Sequence, residues 1–240
     1  MAASTSNPVV VVGGTGLVGR NILTHLLSQS PPAVAPVHAI SRRALALPQH
    51  LLTSSNLIAH INSDSSTWAS LISSATPKLF ISALGTTKGQ AGSFAAQRAI
   101  DYDLNLSLAQ AAKSAGVETY VLISVNGAKT NALVPYSKMK GELEEAVQAL
   151  GFKHTVILRP GLIVGEREDT RMAEAVVRKF AIWAGAVSSA AKDFWAQDAD
   201  VIARAAVRSG IECVEGKRED GKEGVWFLEQ ADIVRMGKTA

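Results

Sequence analysis

Cysteine is almost absent: Cys213 stands alone among 240 residues, which excludes an intrachain disulfide and any metal centre built from several thiolates. A reducing compartment, or one facing the cytosol, suits such a chain. The five histidines, His25, His38, His50, His60 and His154, lack the spacing of metal-ligand sets, so no metal is expected. No apolar run approaches the roughly 20 residues that cross a bilayer. Residues 1–7 have neither the basic and apolar regions of a secretory signal nor the arginines of a mitochondrial presequence. The net charge of +3 is small and spread along the chain, so nucleic acid is not an expected partner.

What is present is enough apolar material for a large core, 47% hydrophobic against 19% charged residues, consistent with one α/β domain over 1–240. Short apolar runs alternate with amphipathic segments, the pattern of a doubly wound parallel sheet with a Rossmann-like nucleotide-binding fold. Strands are expected at 9–13, 37–40, 57–61, 79–83, 119–124, 154–158 and 225–228, and helices at 16–27, 94–115, 136–150, 172–184 and 198–208. Loops fall at 28–36, 47–56 and 216–224. The stretch 166–197 interrupts the alternation and is the expected substrate pocket or lid, because such sheets bind ligands beyond the carboxyl ends of their strands.

The run of four valines from Val9 passes directly into Gly13, Gly14, Thr15, Gly16, Leu17, Val18 and Gly19. A strand followed by glycines at this spacing, then a helix, is the fingerprint of a dinucleotide pyrophosphate loop. Glycine there permits the tight turn and lets backbone N–H groups approach the phosphates at the helix N-terminus. After the second strand comes Ser41-Arg42-Arg43, with no carboxylate to repel a phosphate. Two guanidiniums suited to bidentate capture of a 2′-phosphate point to NADP(H) rather than NAD. Asp64 has two readings, a contact at the adenine end or the cap of a helix starting near Ser65.

Tyr136 and Lys140 form a Y-x-x-x-K spacing at a helix start, with Pro135 suited to the first turn. Residues four apart share a helix face, so phenol and ammonium reach one site. A free phenol titrates near about 10, and a neighbouring cation favours its ionised form. Tyr136 is thereby a candidate general acid for a carbonyl or base for an alcohol.

Together with GGTGLVG (13–19), SALGTTKGQAG (82–92), DYDLNLSLAQAAKSAG (101–116), VLISVNGA (121–128), YSKMKGELEEAV (136–147) and HTVILRPGLIVGERE (154–168), these motifs make the chain resemble the atypical short-chain dehydrogenase/reductases. Within them it is similar to the HIV Tat-interactive protein-like branch and to the fungal mitochondrial outer-membrane Fmp family, over nearly the whole of 8–208 and again at 226–238. The resemblance implies that Tyr136 exchanges the proton, Lys140 binds the nicotinamide ribose and lowers the tyrosine pKa, and Ser124 orients the carbonyl. It implies that Leu84, Gly85 and Thr86 pass the cofactor beneath the sheet. Arg159, in the turn after the sixth strand, lies near the nicotinamide or serves only the turn. Relatives carry a Ser-Ser pair where this chain has Ser124-Val125, which removes one donor if the second serine is the orienting one.

The resemblance also implies peripheral attachment to the cytosolic face of the mitochondrial outer membrane. Residues 171–186, with Arg171, Arg178 and Lys179 among apolar side chains, are either a lipid-facing surface or a core or lid helix. Phe194 and Trp195 are expected near the pocket, and Asp198 as a helix cap. The leading expectation is an NADP(H)-dependent oxidoreductase acting on a small carbonyl or alcohol. The competing one is an NADP(H)-binding regulatory or scaffold protein with little turnover.

Overall fold

The computed structural model describes residues 7–164 and 196–238. Its strands are β1 (Val9–Val12), β2 (Val37–Ser41), β3 (Leu57–Ile61), β4 (Leu79–Ser82), β5 (Thr119–Ile123), β6 (His154–Leu158), β7 (Leu162–Val164), β8 (Ala196–Asp198) and β9 (Gly224–Leu228). Seven of them form a parallel sheet in the order β3-β2-β1-β4-β5-β6-β9, while β7 and β8 pair separately, also parallel. The described helices are α1 (Leu17–Leu27), α2 (Gln49–Leu52), α3 (Trp68–Ala75), α4 (Lys88–Ala91), α5 (Phe94–Arg98), α6 (Asn105–Ser114), α7 (Pro135–Ala149), α8 (Ala199–Val214) and α9 (Gln230–Lys238).

Successive strand side chains point to opposite faces, so the four valines of β1 divide between two cores. Val9 and Val11 pack with Ile22 and Leu26 of α1, Ile202 of α8 and Ile233 of α9. Val10 and Val12 join Trp68 and Ile72 of α3, Leu108 of α6 and Leu143 of α7. With helices on both faces, the strand has no solvent side and reads as an unbroken apolar run rather than an alternation. Chain order reverses at the β1–β4 pair, with β2 and β3 to one side and β5 and β6 to the other. The loops after β1 and β4 therefore leave the sheet side by side at its carboxyl edge, where open α/β sheets bind ligands.

The seven expected strands are present, with ends shifted by at most one residue. The single helix expected at 94–115 is instead α5, a π-helical turn Ala99–Leu104 and α6. That turn places both Asp101 and Asn105 in the interior, at 1% and 0% exposure, where they hold the loop after β4. The expected loop 47–56 contains α2, seated by buried Leu51. The helix read as starting near Ser65 is the 3-10 turn Ser65–Thr67 running into α3, whereas α4, α9 and the β7–β8 pair were not expected. Helix α8 runs past 208 to Val214 because small residues such as Ala205, Ala206 and Gly210 press it onto the sheet. The expected pocket or lid, the basic segment 171–186, Phe194 and Trp195 lie outside the described residues. Asp198 caps α8 as expected, accepting from the Asp200 N–H at 2.9 Å.

Candidate active site

The glycines after β1 divide into two kinds. Gly13 has a φ of +82°, and a Cβ there would strike the Ala83 carbonyl group. A Cβ on Gly19 would strike Gly13 O, and one on Gly14 would lie 2.6 Å from Leu23 Cδ1. These three are demanded by the packing of the β1 turn against α1 and the β4 loop. Gly16 is exposed, with only Gly13 O, at 3.3 Å, near its Cβ position. It stands at the N-cap of α1 with no side-chain cap and no acidic residue in the first turn. Thr15 and Leu17 are half-buried and Val18 is buried, and the eleven-residue helix starts at the switch point with no side chain capping its N-terminal amides. Free N–H groups at the positive end of a helix dipole fit the pyrophosphate of a dinucleotide.

Arg42 and Arg43 follow β2 as exposed side chains that form no ion pair among the described residues. The bend carrying them is fixed by Ser41 Oγ, which donates to Arg43 O at 2.7 Å. Asp64 is used as a cap: it accepts from Ser66 N at 3.0 Å and Ser66 Oγ at 2.6 Å ahead of the 3-10 turn Ser65–Thr67. Those hydrogen bonds hold its carboxyl below the usual range.

The loop Leu84, Gly85 and Thr86 is held by three side chains from the bulged helix. Asp101 Oδ1 accepts from Thr86 N at 2.7 Å, and Gln97 Nε2 donates to Thr86 O at 3.0 Å. Asn105 Nδ2 donates to Leu84 O at 3.1 Å, while its Oδ1 accepts from Ser82 Oγ at 2.5 Å. Asp101 Oδ2 is buried without a hydrogen-bond partner.

Along α7, Tyr136, Lys140 and Glu144 stand at successive four-residue steps on one face. Lys140 is 3% exposed and donates from Nζ to Ile123 O at 3.0 Å. Burial pulls its ammonium below the usual range, and Asp101 and Glu144 oppose that shift. Tyr136 keeps 36% of its surface exposed, yet its phenol is pushed up to about 12, by burial first and by the Asp101 charge second. Burial also raises Asp101, with Lys140 pulling the other way. Ser124, at the end of β5, donates from Oγ to buried Glu144 in a short hydrogen bond. Val125 follows it half-buried.

Arg159 occupies its guanidinium within the protein. Nη2 lies 2.6 Å from Glu144 Oε2, Nη1 3.0 Å from Glu229 Oε1, and the group sits 4.2 Å from the Phe227 ring centre. Of the two readings of this turn, the contacts are those of a strut between α7 and the segment after β9.

The glycine loop, the 84–86 loop and the Tyr136, Lys140 and Ser124 cluster thus gather at one edge of one sheet. A family model described as HIM1 matches residues 49–186. The chain belongs to the HIM1 family. Curated relatives include the mitochondrial protein fmp52 of Aspergillus niger, 50% identical over 236 residues and covering 96% of this chain and 98% of the relative. The mitochondrial protein fmp-52 of Neurospora crassa is 46% identical, covering 99% and 98%. Solved structures with the same fold include the UDP-glucuronic acid 4-epimerase of Bacillus cereus in complex with UDP-glucuronic acid and NAD, TM-score 0.64 at 15% identity over 92% of this chain and 76% of that one. MoeE5 in complex with UDP-glucose and NAD has TM-score 0.64 at 16% identity, covering 96% and 81%. The HIM1-family chain therefore has the same Rossmann-like fold as these NAD-bound structures.

Sequence reading missed Asp101, Glu144 and Gly141. A Cβ on Gly141 would strike the Lys129 backbone, so this glycine lets the loop after β5 close against α7. A carboxylate four residues beyond Lys140 on the helix was the available signal for Glu144. For Asp101 no local signal existed, because the π-turn that buries it is a tertiary feature.

Proposed function

We propose that this HIM1-family protein is an NADP(H)-dependent oxidoreductase of the atypical short-chain type, acting on a small carbonyl or alcohol. The observation that supports this reading is that Tyr136 and Lys140 share one face of α7 at the carboxyl edge of the sheet, where the glycine loop after β1 and the 84–86 loop after β4 also emerge. Gly13, Gly14, Thr15, Gly16, Leu17, Val18 and Gly19 would hold the pyrophosphate, and Leu84, Gly85 and Thr86 would line its path. The guanidiniums of Arg42 and Arg43, which form no ion pair among the described residues, would take the 2′-phosphate. A bound nicotinamide supplies or accepts the hydride. Tyr136, protonated at neutral pH, donates to the substrate oxygen in the reducing direction, and buried Lys140 stabilises the phenolate that results. Ser124 contributes lone pairs to this site, its own proton being engaged by Glu144.

The test is a parallel fluorescence titration with NADPH and NADH, repeated with Arg42→Ala/Arg43→Ala. Tighter NADPH binding that the double variant loses supports the reading. Folded protein that binds neither nucleotide refutes it.

A second reading is favoured by the Ser124–Glu144 bond and by Val125, which together leave the carbonyl without the expected donor. On that reading the protein binds NADP(H) as a regulatory or scaffold protein at the cytosolic face of the mitochondrial outer membrane. Its relatives are named mitochondrial, and among the described residues no helix is long and apolar enough to cross a membrane. NADPH binding without turnover across a carbonyl panel, with retention on anionic liposomes at low salt, distinguishes it.

A further inference from the structure

We propose that the amino edge of the sheet carries a second ligand site, opposite the edge where the glycine loop emerges, and that this site takes a small organic molecule with one carboxylate or phosphate group. The inference stands apart from the oxidoreductase reading, whose residues lie at the other edge.

The parallel strands all begin at the amino edge, and five-residue strands such as β5 and β6 set the two edges roughly 16 Å apart. A cavity of about 460 Å³ opens there between the starts of β5 and β6, the last turn of α8 and the loop 215–223. That volume suits a small molecule rather than a single ion or water. Arg218, 7% exposed, builds one wall by fixing the charged loop. Its Nη1 donates to Gly224 O at 3.2 Å and its Nη2 to Val225 O at 3.3 Å, and an ion pair at 2.7 Å joins it to Asp220. The guanidinium also lies 5.0 Å from the Trp226 ring centre. The wall is in place before any ligand arrives.

The charge lining this cavity is unbalanced. Glu215 is engaged by Lys217 at 2.9 Å, and Arg218 by Asp220, which leaves the ammoniums of Lys78, Lys153 and Lys222 against the carboxylates of Glu118 and Glu223. Lys78 closes on Glu118 at 2.9 Å. Lys153 stands 3.9 Å from Glu118 and 3.7 Å from Glu223, beyond hydrogen-bond distance of either, and exposed Lys222 forms no ion pair among the described residues. One positive charge is in excess, so the complement is a single anionic group. His154 lines the same cavity at 6% exposure, and its Nδ1 is buried without a hydrogen-bond partner. Buried polar atoms are rarely left so, and an orphan sharing a cavity with two underused ammoniums points to a ligand that pairs with all three. Burial holds the imidazole below its usual range; Lys153 and Arg218 reinforce that shift, while Glu223 and Glu118 oppose it.

The experiment follows the His154 13Cε1 resonance of the full-length protein at constant ionic strength while butyrate, methyl phosphate or neutral butyramide is added. Butyrate or methyl phosphate gives a saturable shift with a Kd below about 10 mM, and butyramide leaves the resonance in place. Saturation by one acid and not the other names the headgroup. The bound anion also raises the His154 midpoint, because it offsets Lys153 and Arg218. Lys153→Gln/Lys222→Gln weakens binding at least about tenfold, and Lys222→Gln alone, on the exposed loop and away from the sheet, at least about threefold. Arg42→Ala/Arg43→Ala leaves the affinity unchanged. A shift that fails to saturate, that butyramide reproduces, that leaves the His154 midpoint in place, or that persists at full affinity in folded Lys222→Gln overturns the proposal. Loss of affinity in Arg42→Ala/Arg43→Ala overturns it as well, by placing the anion at the other edge. No readout uses a nucleotide, so failure of NADPH binding refutes the proposed function separately.

Discussion

Replacing Arg159 by methionine keeps most of the apolar stem and deletes the group that neutralises Glu144, whose side chain is 2% exposed. Three guanidinium contacts to that carboxylate disappear, at 2.6, 3.2 and 3.3 Å. Breaking a buried pair by removing one partner costs about 3–5 kcal/mol. The bond to Glu229 adds at most about 0.5 kcal/mol, since that carboxylate is half exposed. Ser124 and Lys140 remain beside Glu144, which places the expected loss near the lower bound, about 3 kcal/mol. For a chain of this length that corresponds to a fall of roughly 6–12 °C in Tm. Thermal and urea unfolding followed by circular dichroism measure it, and a cycle with Glu144→Gln yields a coupling above about 1 kcal/mol. A loss below about 1 kcal/mol refutes the strut. NADPH affinity supplies an independent reading: a strut leaves it within about threefold once folding is verified, whereas a tenfold loss assigns Arg159 to the cofactor.

Gly19→Ala places a methyl on Gly13 O and destabilises by about 2 kcal/mol or more, while Gly16→Ala costs within about 0.5 kcal/mol and still weakens NADPH binding; paired melts and titrations separate packing glycines from the phosphate-facing one. Tyr136→Phe lowers turnover at least about 10²-fold with NADPH affinity retained, and equal turnover in both proteins removes Tyr136 from the chemistry. His38 and His60 stack with Nδ1 and Nε2 3.1 Å apart, and burial lowers both below the ordinary 6.5. In that window the unfolded chain binds more protons, so their contribution to stability is complete above pH 6.5 and is lost as pH falls through the lowered values. Melts across acid pH show that slope, and His60→Gln flattens it; an unaltered slope in the variant contradicts the assignment.

Much of this molecule was determined by short-range features of the sequence. The four valines had to form a strand covered on both faces, the glycines at 13, 14, 16 and 19 had to follow it, and Pro135 began a helix presenting Tyr136 and Lys140 together. Apolar periodicity, turn geometry and helix spacing act within a few residues, so they are visible without a fold. The charges that decide what the pair does come from farther away. Asp101, 39 positions before Lys140, is buried on a π-turn and spends Oδ1 on the Thr86 N–H of the loop after β4. Glu144 accepts a hydrogen bond from the Ser124 hydroxyl and pairs with the Arg159 guanidinium because α7 packs against β5 and the end of β6. Such partners are selected by desolvation: once Lys140 and Glu144 are buried, each requires an opposite charge or a hydrogen bond, and only the tertiary packing specifies which group is within reach.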